Sequence, residues 1–93
     1  MSDNNPKKPL KDLPFAPKKG KIYEMYGKQF STQIIRENLN GLIEDYKNIV
    51  NKTLSDRGVP RPVWIEWLRN FGFPENYNQV NEWLDEKTVF DKI

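Results

Sequence analysis

The 93-residue chain contains no cysteine and no histidine. No disulfide framework can form, and secretion is therefore not suggested. No zinc or haem site of the usual Cys/His kind is available. A cysteine nucleophile, a Ser-His-Asp triad and a histidine general base are excluded with them. Glycine is sparse, and Gly20, Gly27, Gly41, Gly58 and Gly72 stand singly, so no glycine-rich phosphate loop exists. No apolar run approaches the ~20 residues of a membrane span, and the polar start does not read as a secretory signal. The expectation is a small soluble domain in the cytoplasm, with no cofactor, no metal and no membrane contact.

Aromatic residues are present in quantity. Three Trp, four Tyr and five Phe make up 13% of the chain. Each buried ring removes about 150–250 Å² from water, enough to give a domain of this size a core.

Charge and proline are unevenly distributed. Residues 1–21 hold six lysines and two aspartates, a net +4, whereas the remaining 72 residues hold nine basic and eleven acidic groups, a net −2. Pro6, Pro9, Pro14 and Pro17 fall in the same segment. Proline removes backbone donors and biases its predecessor to extended forms. The segment therefore reads as a flexible basic arm, residues 1–21, rich in polyproline II, ahead of a helical domain, residues 22–93. Leu10, Leu13 and Phe15 are its sizeable apolar groups. For Ile22, Tyr23, Met25 and Tyr26 the sequence leaves three readings: a short strand, an edge strand pairing with another protein, or an ordered lead-in packed on helices.

From Ser31 the pattern is helical. Ile35, Leu39, Leu42, Tyr46 and Ile49 recur at steps of four and three, widened by Ile34, Ile43, Val50 and Leu54. A long helix over 32–56 is expected, capped by Ser31 or Thr32 and closed by Gly58. Pro62 suits the start of a second helix over 62–71, with Val63, Trp64, Trp67, Leu68 and Phe71 on one apolar face. Pro74 then opens a third over 75–87. The fold class is all-α: a small three-helix domain, its first helix long, joined by Pro/Gly turns.

Function is less constrained. Pro6-Lys7-Lys8-Pro9-Leu10-Lys11 and Pro14-Phe15-Ala16-Pro17-Lys18-Lys19 both fit P-x-x-P followed by a basic residue, a form that docks on aromatic grooves with little loss of entropy. Arg61 and Arg69 flank Trp64 and Trp67, and Trp and Arg are frequent interface anchors. The candidate partner-binding set is Leu13, Pro14, Phe15, Pro17, Lys18, Lys19, Arg61, Trp64, Trp67 and Arg69. The plainer reading of Trp64 and Trp67 is core. No catalytic residue is assigned, because the adjacent acids Glu44-Asp45 and Asp85-Glu86 point about 100° apart on a helix and form no dyad.

The leading expectation is a non-enzymatic module that binds a larger protein, as an adaptor, inhibitor or assembly subunit. Nucleic acid bound by the lysine arm is the first alternative. A helix-turn-helix reading through Asn78, Gln79 and Asn81 is opposed by Glu75, Glu82, Asp85 and Glu86 nearby. Self-association, with the long helix pairing to its own copy, is the second alternative, and the oligomeric state is left open. Ten Asn, with eleven Lys to four Arg, fit an AT-rich genome and a bacterial or phage accessory protein.

Overall fold

The structure, a computed structural model, describes residues 9–51 and 58–92. The fold is all-helical. Three α-helices, α1 (Lys19–Tyr26), α2 (Thr32–Val50) and α3 (Arg61–Phe71), are followed by two 3-10 turns, η1 (Asn81–Asp85) and η2 (Val89–Lys92). Among the described residues the extended pairing is a single parallel bridge between Lys11 and Tyr77, and no helix is long and apolar enough to cross a membrane.

α1 decides between the readings of the 22–26 segment. Ile22, Met25 and Tyr26 are buried at i, i+3 and i+4, a helical spacing, so the segment is neither strand nor edge strand but a helix packed by its apolar side. The expected arm boundary at residue 21 therefore falls inside a helix. α2 begins where expected, with the Ser31 hydroxyl accepting a bond from the Ile34 N–H at 3.2 Å. It ends earlier than residue 56. Asn51 adopts the left-handed conformation (φ 54°, ψ 47°) and its N–H bonds the Lys47 carbonyl at 2.8 Å, a cap that asparagine tolerates as glycine does. Leu54 lies outside the described residues.

α3 is the centre of the packing. Val63, Trp64, Ile65, Trp67 and Leu68 are all buried. At 100° per residue they span about 200° of the helix circumference, so α3 needs cover on more than one side. α2 and the two 3-10 turns pack against it. The Tyr26 ring sits edge-on to Trp64 and Trp67, with centroids 6.5 and 5.4 Å away, and stacks on Phe30 at 6.2 Å. Its hydroxyl donates to the Gly72 carbonyl at 2.6 Å. Burial pushes that hydroxyl above the usual phenol range, and the Trp67 indole N–H, which meets no hydrogen-bond geometry of its own, acts in the opposite direction. Gly72 closes α3 at φ 81°, ψ −179°, a region essentially reserved for glycine.

Two expectations are corrected. The third helix over 75–87 does not form. Asn76 has φ 67°, which breaks a helix, and Tyr77 is drawn into backbone pairing with the arm. Helical structure resumes only as the short η1. The arm, expected to be free through residue 20, is docked over its described part. The Lys11 N–H donates to Asn76 O at 2.9 Å and Lys11 O accepts from the Asn78 N–H at 2.8 Å. Leu13 and Pro17 are buried. Two apolar groups are too few to order an isolated segment. Here the body supplies the missing partners, in backbone groups from 76–78 and the exposed flank of α3.

Replacing Trp64 with Ala is expected to cost about 3–5 kcal/mol, enough to unfold most of the population of a domain this small, measured by urea titration followed by circular dichroism. Deleting residues 1–17 removes Leu13 from the core and leaves the Trp64 N–H without its acceptor. The expected loss is about 2–5 kcal/mol in the same titration, where a free arm would give none.

Candidate interaction surface

Four large hydrophobic side chains are exposed among the described residues: Leu10, Phe15, Ile34 and Ile49. Phe15 is the most open, at 65%. Its position is nevertheless fixed from several directions. The chain enters through buried Leu13 and through Pro14, whose carbonyl accepts the Trp64 indole N–H at 3.0 Å. It leaves through buried Pro17 into the start of α1. The Arg61 guanidinium lies 3.6 Å from the Phe15 ring centroid and also bonds the Phe15 carbonyl. The Trp83 ring meets Phe15 edge-on at 6.2 Å and 78°, with the same guanidinium 4.5 Å from the Trp83 centroid.

Arg61 is thus shared by two rings, one backbone carbonyl and one carboxylate. Its Nε donates to Glu86 Oε1 at 3.1 Å, and its Nη2 bonds Glu86 Oε2. This is the bidentate fork that only arginine provides. Being the first residue of α3, with Pro60 before it and Pro62 after, Arg61 has a stiff backbone setting.

Arg69, two turns further on, does related work at the other end. It bonds the Leu84 carbonyl at 3.0 Å, Glu66 at 3.2 Å and Asp91 at 2.9 Å, and also the Glu86 carbonyl. The Asp91 carboxylate also accepts the Thr88 N–H at 2.8 Å. That backbone bond, joined by Arg69, holds the Asp91 carboxyl below the usual aspartate range.

The sequence-derived residues therefore divide. Pro14, Phe15, Arg61 and Trp64 meet at one junction. Leu13 and Pro17 are buried anchors of the arm. Lys18, exposed, and Lys19, half-buried, open α1. Trp64 and Trp67 are both 0% exposed, so the surface does not offer them to a partner, and their role is core. The one-face reading of their helix failed because it left out Ile65, which is buried on the far side. Arg69 is engaged inside the chain rather than forming a polar rim. Trp83 and Glu86 are the members that the sequence did not assign to the site. A tryptophan amid Asn81, Glu82, Asp85 and Glu86 was the available sign, but nothing in the spacing ties Glu86 to Arg61.

Three of the described lysines, Lys11, Lys21 and Lys28, gather near Tyr77. Lys11 and Lys21 approach the Tyr77 ring, at 5.7 and 5.9 Å from its centroid. The adjoining hollow carries Lys11 and Lys28 but also Glu24 and Glu75. The chain matches no known protein family, no curated protein and no solved structure.

The Asp91 network gives a pH dependence of defined sign. A carboxyl whose pKa is lower in the folded chain stabilises it above the ordinary aspartate value, and that stability is lost as pH falls through the folded value. Thermal melts from about pH 5 down to about pH 2.5 should show falling stability, and Asp91→Asn should flatten part of that slope.

Proposed function

We propose that the chain is a non-enzymatic module that binds a larger protein through the surface built on Phe15, Trp83 and Arg61. The observation that carries this reading is an exposed aromatic ring that is already rigid. Most exposed side chains must give up rotamer freedom on binding. Phe15 has little left to give, because Arg61 and Trp83 hold its ring and Trp64 and Arg61 hold its backbone. An apolar anchor ringed by half-buried Trp83, Arg61 and Glu86 has the make-up of an interface hot spot. We place the module in the cytoplasm, in keeping with a chain free of cysteine, as an accessory protein of a bacterium or phage.

The nucleic-acid reading is the weaker one at this site. Glu82 and Asp85, both exposed, flank Trp83 in the chain, and Glu86 sits on Arg61. Phosphates approaching Phe15 would meet carboxylates.

The test is affinity capture from host lysate with the full chain and with Phe15→Ala, each with and without nuclease. Phe15 is exposed, so the variant should keep its circular dichroism spectrum, with a melting temperature lowered by the lost contacts to Arg61 and Trp83, and capture is run well below that temperature. A protein partner that survives nuclease, and whose affinity falls about 30-fold or more in the variant, is the expected result. Undiminished capture by the variant, or recovery that vanishes with nuclease, would overturn the reading.

A further inference from the structure

The Phe15 surface leaves most of the chain's lysines unused. Residues 1–28 hold seven lysines against Asp3, Asp12 and Glu24, a net +4, and residues 29–93 hold eight basic groups against ten acidic ones, a net −2. The basic stretch therefore runs past residue 21 and through α1. Folding gathers part of it. The arm pairs with 76–78 through the Lys11 backbone, and the Lys11 Nζ lies 5.7 Å from the Tyr77 ring centroid. Lys21 of α1 reaches the same ring at 5.9 Å. Lys28 is seven positions beyond Lys21, and Gly27 continues the helical turn (φ −63°, ψ −20°). Lys21 and Lys28 therefore share a side of α1, about 10 Å apart along its axis. Lys11, Lys28 and Tyr77 also border one hollow of about 180 Å³.

Two acids sit among these lysines. Glu24 pairs with Lys21 at 3.7 Å, and both side chains are exposed. An exposed pair of this kind is weak and gives way to a competing anion. Glu75 is exposed at the hollow. Three cations against two acids leave the cluster positive, and Lys18 and Lys19, one turn before Lys21, add to it. Asp12 does not oppose them directly. Side chains alternate along an extended segment, so Asp12 and the exposed Leu10 lie on the side of the arm away from the Lys11 side chain. Asp12 accepts a bond from the Asn78 amide at 3.3 Å there.

We infer that the surface of Lys11, Lys21 and Lys28 is a docking site for the phosphate backbone of duplex nucleic acid, bound without regard to sequence. Each strand of a duplex sets a phosphate about every 3.4 Å, so the distance from Lys21 to Lys28 spans about three of them. Lysines on flexible stems suit such a line of point charges and carry no base-reading geometry. A single strand would call for exposed rings on which its bases stack. Tyr77 does not supply one, because it is buried beneath Lys11 and Lys21. A lipid surface would call for an apolar helix face to lie in it. The apolar residues Ile22, Met25 and Tyr26 of α1 are buried instead. Glu82, Asp85 and Glu86 turn phosphates away from Phe15, so this surface and the Phe15 surface draw on different residues.

The test is fluorescence anisotropy of a labelled DNA duplex of about 20 base pairs, titrated with the full chain between about 50 and about 200 mM salt. Log affinity should fall with log salt at a slope of about −2.7 or steeper, which is about −0.9 for each of three phosphate contacts. Lys11→Gln, Lys21→Gln and Lys28→Gln combined should weaken binding about 30-fold or more at the lowest salt and make the slope shallower by about 2.7. Lys11 pairs through its backbone, so the triple variant should keep the native circular dichroism spectrum. Arg36→Gln, Lys47→Gln and Lys87→Gln combined remove the same charge elsewhere and should leave the affinity within about threefold of native. Equal weakening by the two triple variants would overturn the inference, and so would a native slope close to zero. Binding to vesicles of phosphatidylcholine and phosphatidylserine with none to the duplex would do the same. So would the absence of duplex binding up to about 1 mM chain, since sequence-independent sites bind at about 10⁻⁴ M or tighter.

Discussion

One constraint organises this molecule: α3 is too apolar to lie on a surface. Five of its eleven residues are buried, and they occupy more than half of its circumference. A helix of that kind must be enclosed. A single long neighbour such as α2 can cover one side only. The remaining cover comes from Tyr26 of α1 and from segments that have little reason to be ordered by themselves, namely the proline-rich arm and the two 3-10 turns after residue 80. The chain thus spends its less regular segments on wrapping its one central helix.

The wrapping is fastened by groups on α3 itself. The Trp64 indole holds the arm at Pro14. Arg61 holds the arm at Phe15 and the C-terminal segment at Glu86. Arg69 holds the same segment at Leu84, Glu86 and Asp91. Polar atoms at both ends of an apolar helix are thereby matched to backbone carbonyls and carboxylates that would otherwise be left partly unpaired. The candidate interaction surface is a by-product of the same fastening. Phe15 is presented to solvent between its buried neighbours Leu13 and Pro17, and its ring is held because the Arg61 guanidinium that bonds Glu86 also lies over it. Stability and presentation therefore share residues.

Much of the fold was legible in the sequence. The period of α2, its Ser31 cap and the Pro/Gly frame of α3 all follow from local rules. What was not legible depends on contacts between distant segments. Residues 22, 25 and 26 have helical spacing, yet lysines and Gly20 before them hide the start of α1. Asn51 and Asn76 adopt positive φ, a choice that asparagine permits but composition does not announce. The third helix was lost to the pairing of Lys11 with Tyr77, a bond between residues 66 positions apart that no window can see. At the site, Phe15 and Arg61 stood among the candidates. Trp83 and Glu86 joined them only once the chain was folded, and Trp64 and Trp67 moved from candidate surface to core because Ile65 shows α3 to be covered on its far side too.

The central claim is that the arm is a fixed part of the body. Hydrogen exchange of the full chain, read by nuclear magnetic resonance, addresses it most directly. The Trp64 indole N–H and the Lys11 and Asn78 amides are bonded only through the docked arm. If the arm is docked, these three protons exchange far more slowly than in an unstructured peptide, with protection approaching that of the α3 amides. Exchange of all three at the unprotected rate, with α3 still protected, would mean that α3 is covered by something other than the arm.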